Sequence, residues 1–154
     1  MKRLMTFLPL LLLAACSAGP DRGGASDDWI SPGGDAGKSH HSMLVGIAPD
    51  NVGRLGLAWQ AELGTNRVLE ATPVVVAGVM YVSGPAGLVY AFDAATGKEL
   101  WRFAPDLDMQ VNRTVCCDMA NRGVAVARGK VFVASLDGWL YALDAKSGAV
   151  AWKA

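Results

Sequence analysis

The sequence predicts an all-β chain, a partial β-propeller of about two four-stranded blades following a signal peptide. Two observations carry this. From residue 72 onward, short β-prone runs alternate with turns built on Gly and Asp. The run also repeats. Gly78, Val82, Gly87, Tyr90, Ala91, Asp93, Ala94, Gly97 and Trp101 recur 51 residues later as Gly129, Val133, Gly138, Tyr141, Ala142, Asp144, Ala145, Gly148 and Trp152. A period near 50 with four short strands per unit is that of a propeller blade.

The elements follow in order. Met1-Lys2-Arg3 is a short positive segment, and residues 4–15 form an apolar run ending in Leu13-Ala14-Ala15 before Cys16. That run falls short of the about 20 residues a spanning helix needs, and fits the apolar region of a secretory signal. Small residues just before Cys16 match a bacterial lipobox, so cleavage is expected there, with Cys16 lipidated. Residues 1–15 are then a lipoprotein signal peptide, and residues 16–37 a flexible tether. The stretch 17–37 is rich in Gly, Ser, Asp and Pro, with Trp29 and Ile30 as its only large apolar residues. Trp29 is its candidate docking point. Residues 38–154 are the propeller portion, with a first strand-like stretch at 51–59 ending in Trp59.

In the first blade, strands are expected at 73–76 and 79–83 around Ala77-Gly78, at 88–92 after Gly84-Pro85-Ala86-Gly87, and at 98–103 after Asp93-Ala94-Ala95-Thr96-Gly97. In the second they are expected at 123–127, 130–135, 139–143 and 149–152. Asp93 and Asp144 can accept from backbone N–H groups inside their turns, and Gly97 and Gly148 can supply the positive φ that closes them. Trp101 and Trp152 then lie on last strands, free to pack on a neighbouring blade, and Trp59 is expected to do the same for an earlier, degenerate unit. A closed propeller needs about four to eight blades. Two blades and a leading strand do not close a ring, so the chain is expected to be the N-terminal piece of a longer propeller.

Charge excludes little beyond nucleic acid. Lys+Arg and Asp+Glu stand at 14 each, with no basic stripe. The signal places the chain on the extracytoplasmic side, where disulfides persist. Lipidation takes one of the three cysteines and leaves Cys116 and Cys117, which are adjacent. No zinc-type spacing is present. His40 and His41 are neighbours whose side chains would diverge on an extended chain, a poor basis for a shared metal.

Between the blades, residues 104–121 do not read as strand. They hold Cys116-Cys117-Asp118-Met119-Ala120-Asn121, which runs on into Arg122-Gly123. Neighbouring Cα atoms lie about 3.8 Å apart, below the usual disulfide window, so a bridge would close a strained ring of a kind kept at functional sites. Two free thiols are the equal alternative on these residues alone.

Four segments together resemble the PQQ-dependent (pyrroloquinoline quinone) quinoprotein alcohol dehydrogenases, which are eight-bladed propellers. They are Leu69-Glu70-Ala71-Thr72-Pro73, Gly78-Val79-Met80-Tyr81-Val82, the Asp93 to Trp101 turn and strand, and Cys116-Cys117-Asp118-Met119-Ala120-Asn121-Arg122-Gly123. The likeness runs from about Trp29 to the end. Asp-x-x-Thr-Gly followed by Trp is common to many propellers, whereas Glu-Ala-Thr-Pro followed by Cys-Cys-Asp and Asn-Arg-Gly is specific. The resemblance implies that Cys116 and Cys117 are joined and lie against one face of PQQ. It also implies that Arg122 pairs with a PQQ carboxylate and that Glu70 contacts the cofactor nearby. A flat tricarboxylate needs cationic donors at its edge and polarisable walls on its faces, which suits these residue types.

The same resemblance implies an oxidation of small alcohols by hydride transfer to PQQ, with calcium polarising the quinone and an aspartate as base. Those calcium ligands and that aspartate would lie beyond residue 154, so the fragment alone is expected to be inactive. Leu63-Gly64-Thr65-Asn66-Arg67 looks most like the haem-bearing subgroup, which implies haem c in a C-terminal domain and electrons passed to a cytochrome. The lipobox departs from the commonest members and implies attachment to the membrane on its periplasmic side. Two other readings fit parts of the sequence. A lipoprotein propeller scaffold of outer-membrane assembly shares the lipobox and the turns but has no need of Glu70, Cys116-Cys117 or Arg122. A quinoprotein acting on sugars or polyols would share these blades.

Overall fold

The computed structural model describes residues 28–154. The expected signal peptide, Cys16 and the first part of the expected tether lie outside the described residues. Two four-stranded antiparallel sheets follow each other along the chain, each in simple meander order. The first holds β1 (Val74–Val76), β2 (Val79–Ser83), β3 (Val89–Asp93) and β4 (Glu99–Phe103). The second holds β5 (Ala125–Ala127), β6 (Lys130–Ala134), β7 (Leu140–Asp144) and β8 (Val150–Lys153). These are the two blades read from the repeat, with strand ends shifted by at most two residues.

The hairpins turn where the sequence breaks. Ala77 and Gly78 have φ of 50° and 76°, and Arg128 and Gly129 have 50° and 70°. Two successive left-handed residues match the twist of the strands they join. At the β3–β4 turn, Asp93 Oδ1 accepts from the Thr96 N–H at 2.8 Å, while Gly97 at φ 72° lets its own N–H reach the Asp93 carbonyl at 2.9 Å. The copy is faithful: Asp144 Oδ1 accepts from Ser147 N–H at 2.9 Å, with Gly148 at φ 72°. Even the irregularities repeat, since the ladder slips between Ala91 and Phe92 and again between Ala142 and Leu143.

The core lies between the blades. Val74, Tyr81, Val89, Ala91 and Trp101 of the first sheet pack with Val124, Val131, Val133, Tyr141 and Leu143 of the second. Trp101 seals the junction. Its indole N–H donates to the Ala145 carbonyl at 3.0 Å, and its ring lies where a Cβ on Gly148 would stand, 2.6 Å from Trp101 Cε3. Tyr81 donates to the same carbonyl at 3.1 Å, and burial pushes its phenol pKa up, so it stays a donor. Trp59 repeats the arrangement one unit earlier, donating to the Ala94 carbonyl at 3.0 Å and covering Gly97 at 2.5 Å from the position of a Cβ. Trp59 thus docks on the first blade as Trp101 docks on the second.

One expectation changes. The stretch 51–59 is not a strand: it begins with a 3-10 turn at Val52–Arg54 and continues unpaired, with Leu55 and Leu57 exposed. A strand needs a ladder partner, and among the described residues none lies beside it. The described end of the stretch expected as tether docks at Trp29, the residue the sequence offered for it. Asp28 Oδ1 accepts from the Ala77 N–H at 2.7 Å, and Trp29 exchanges two backbone hydrogen bonds with Val75, at 2.8 and 2.9 Å. Backbone pairing to a free sheet edge does not depend on apolar content, which is why a Gly- and Ser-rich segment can still be fixed there. His40, at φ 54°, lies off the extended backbone, and its N–H donates to the Gly33 carbonyl.

Candidate functional site

Each blade is entered through a segment that runs into its first strand, and these two segments lie side by side. Val74 and Val124 share the core, and the Thr72 carbonyl is 3.5 Å from where a Cβ on Gly123 would be. Gly123 stands at φ 136°, a backbone conformation that residues with a side chain rarely adopt. Glu70 comes from the first segment and Cys116, Cys117 and Arg122 from the second.

The structure brings all four together. Arg122 Nη2 lies 3.2 Å from Glu70 Oε2, with the arginine side chain three-quarters exposed. A guanidinium has five N–H donors. One contact to Glu70 orients it and leaves most of its donors open to an outside anion. The Cys117 thiol is held above its ordinary pKa, first by its hydrogen bond to the Cys116 sulfur and then by that neighbour's charge. Burial and the Glu70 carboxylate push the same way, and Arg122 opposes them. The four side chains therefore share one electrostatic neighbourhood.

The two sulfurs are 3.0 Å apart and both cysteines are free and exposed. A disulfide needs about 2.05 Å. The sulfurs are thus side by side, and joining them, as the resemblance implies, would close a strained ring because adjacent Cα atoms lie only about 3.8 Å apart. Their turn has an unusual backbone: Cys117 and Asp118 stand at φ 65° and 57°, left-handed for two successive residues that are not glycine.

Contacts from both blades hold it there. Met119 is buried, and its carbonyl accepts from the Ala86 N–H at 2.7 Å. Asn121 donates through Nδ2 to the Ala134 carbonyl at 2.8 Å, and its Oδ1 accepts from the Gly123 N–H at 3.1 Å. Asp118 forms an ion pair with Arg67. Sequence reasoning quoted Arg67, Asp118 and Asn121 without giving them a part. A signal was available: Arg67 and Asp118 are one repeat apart, 51 residues, so they occupy matching positions on adjacent blades.

An open cleft of about 920 Å³ borders the turn, walled by Leu63, Arg67, Leu69, Leu88, Leu107 and Met119. Among the described residues, no group of three or more His, Cys, Asp or Glu side chains is gathered to hold a metal.

With this geometry in place, comparison with known proteins is direct. Residues 29–153 match the family described as PQQ, the glucose/ethanol/alcohol dehydrogenase β-propeller domain. The 1-butanol dehydrogenase (cytochrome c) of Thauera butanivorans is 46% identical over 129 residues, 84% of this chain and 19% of that protein. Quinohemoprotein alcohol dehydrogenase ADH-IIG of Pseudomonas putida is 48% identical over 125 residues, 81% of this chain and 17% of that one. The crystal structure of the quinohemoprotein alcohol dehydrogenase from Comamonas testosteroni superposes with a TM-score of 0.80 at 44% identity, covering 85% of this chain and 20% of that one. The chain spans about a fifth of the length of these relatives. Its fold, its repeat and its extended likeness to these enzymes agree: the chain belongs to the PQQ β-propeller family of glucose, ethanol and alcohol dehydrogenases.

Proposed function

We propose that this chain forms the first blades of a PQQ-dependent alcohol dehydrogenase, exported to the periplasmic side of the membrane and anchored there by lipid on Cys16. The observation that carries the reading is the meeting of Glu70, Cys116, Cys117 and Arg122 from two segments more than forty residues apart in sequence. These residues suit the cofactor: an exposed guanidinium with open donors fits a carboxylate at the edge of a flat ring system, and a pair of sulfurs fits its face. When bound, PQQ supplies a two-electron acceptor for the hydride of a small alcohol. Arg122 binds a carboxylate of the ring system. Glu70 holds Arg122 in place, limiting the rotamers it must give up on binding. Cys116 and Cys117 wall one face, and oxidation to a bridge would turn two thiols into a compact neutral surface.

Calcium ligands and the catalytic base belong, on this reading, to blades beyond residue 154, and so does any haem c domain. A cytochrome as electron acceptor is supported by the names of two kinds of relative, a 1-butanol dehydrogenase (cytochrome c) and quinohemoprotein enzymes. A scaffold role would leave the Glu70–Arg122 pair and the two cysteines without a use. The test is reconstitution. Full-length protein stripped of PQQ should reduce an artificial dye with a primary alcohol only after PQQ and calcium are added back. Reduction that is indifferent to PQQ would refute the reading.

A further inference from the structure

Two ion pairs join the segments that enter the blades, and they run in opposite senses. The first segment presents Arg67 and then Glu70; the second presents Asp118 and then Arg122. Each cation meets the anion of the other segment. Glu70–Arg122 is the pair assigned to the cofactor. The other pair has no part in that assignment.

Its position gives it one. Asp118 directly follows Cys117, and both residues are left-handed, at φ 57° and 65°. Such a conformation is costly for residues other than glycine and persists only where the surroundings impose it. Met119 and Asn121 fix the far side of the turn to the backbones at Ala86 and Ala134. On the cysteine side the Asp118 carboxylate is the anchor, held by Arg67. Arg67 is itself set by its segment: its N–H donates to Thr65 Oγ1 at 3.1 Å, and the Leu63 carbonyl accepts from the Tyr90 hydroxyl at 2.8 Å. Charge adds a second consequence. Asp118 lies four residues before Arg122, and a carboxylate released there would compete with Glu70, and with any incoming anion, for the Arg122 guanidinium.

We propose that Arg67 and Asp118 are positioning residues for PQQ: their ion pair pins the Cys116-Cys117 turn in its left-handed form and keeps Asp118 away from Arg122. This rests on the reading of Glu70, Cys116, Cys117 and Arg122 as the cofactor-facing set. Neither residue touches the cofactor on this account; they act through the turn.

The experiment uses full-length enzyme carrying Arg67→Ala, Arg67→Lys, Asp118→Asn or Arg122→Ala. Two quantities are read: the rate at which iodoacetamide labels Cys116 and Cys117 in PQQ-free enzyme after mild reduction, and the rate at which PQQ is lost on dilution from loaded enzyme. The pair is partly exposed, so the effect is that of a screened ion pair, about fivefold on each rate for Arg67→Ala and for Asp118→Asn. Arg67→Lys, which keeps the charge, should stay near the unmodified protein, and Asp118→Asn, which removes a charge with almost no change of volume, separates loss of the pair from loss of packing. If Arg67→Ala does not fold, the nearly isosteric Asp118→Asn carries the test.

Unchanged labelling in Arg67→Ala and Asp118→Asn would overturn the proposal, as would an Arg67→Lys variant as impaired as Arg67→Ala. Faster labelling with unchanged PQQ loss, in an enzyme that sheds PQQ on Arg122→Ala, would also overturn it, because the pin would then not serve the cofactor. If Arg122→Ala retains PQQ like the unmodified enzyme, the cofactor assignment of Arg122 fails instead, and faster labelling in Arg67→Ala would still support the pin.

Discussion

Gly148 and Gly129 separate two costs that a glycine can hide. Both stand in the left-handed region, at φ 72° and 70°. A Cβ on Gly129 would meet nothing within 4 Å, whereas one on Gly148 would stand 2.6 Å from the Trp101 ring. Gly129→Ala should therefore show the backbone term alone, about 1–2 kcal/mol. Gly148→Ala adds the displacement of a packed tryptophan and should cost about 2–4 kcal/mol. Thermal unfolding of the full-length variants measures both, and equal losses would mean that Trp101 does not depend on this contact. The positive φ at Gly97 and Gly148 was legible in the sequence, because an Asp-x-x-x-Gly turn demands it. The tryptophan lying on each glycine was not, since nothing local in the sequence says which glycine a distant indole will cover. The site divides the same way. Glu70, Arg122 and the cysteines were picked out by resemblance to a family motif, and the structure brings them together. The Arg67–Asp118 pair carries no local motif, and becomes legible only when the repeat period is read as a statement about neighbouring blades.

The β3–β4 and β7–β8 turns show how an element can carry its own pH dependence. Asp93 is held below its ordinary pKa chiefly by the Thr96 hydroxyl and then by the Thr96 N–H; Asp144 is held down by Ser147 in the same two ways. A carboxylate whose pKa is lower in the folded chain binds protons first in the unfolded one. Its contribution is complete while both states are ionised. It begins to shrink as pH falls through the unfolded value near about 4, and it is lost once the folded carboxylate has taken its proton. Stability should thus fall on acidification below about pH 4 in the unmodified protein, and Asp93→Asn/Asp144→Asn should flatten that fall. Denaturant titrations at pH 7 and pH 3 would register it, and parallel losses in both proteins would count against these turns. Strand positions were readable because Ala77-Gly78, Arg128-Gly129 and the Asp turns mark nearly every boundary. The stretch 51–59 was misread because its β-prone residues reflect a pleated surface seeking a partner, and a ladder is a property of two segments rather than one. The sequence offered Trp29 as the docking point but not the way it docks, because its tie to Val75 runs through backbone groups that every residue possesses.

At the scale of the whole molecule, one period organises both the packing and the chemistry. Each unit leans on the next: Trp59 and Trp101 cover Gly97 and Gly148 of the blade that follows, and Arg67 reaches Asp118, its own match one period on. The segments entering β1 and β5 meet by the same rule, so residues from separate blades compose one anionic and cationic edge. The number of blades in these residues could be argued from the period, while the meeting of Glu70, Cys116, Cys117 and Arg122 required two blades folded side by side. On the function proposed above, this edge holds PQQ. Its most direct test is the binding of PQQ to full-length apoenzyme, with Arg122→Ala compared against Arg102→Ala, the latter removing an exposed pair with Glu99 on the far strand of the first sheet. A charge-assisted contact to a carboxylate predicts that Arg122→Ala weakens binding about tenfold to a hundredfold while Arg102→Ala leaves it unchanged. Equal affinity in the two variants and the unmodified protein would contradict the account.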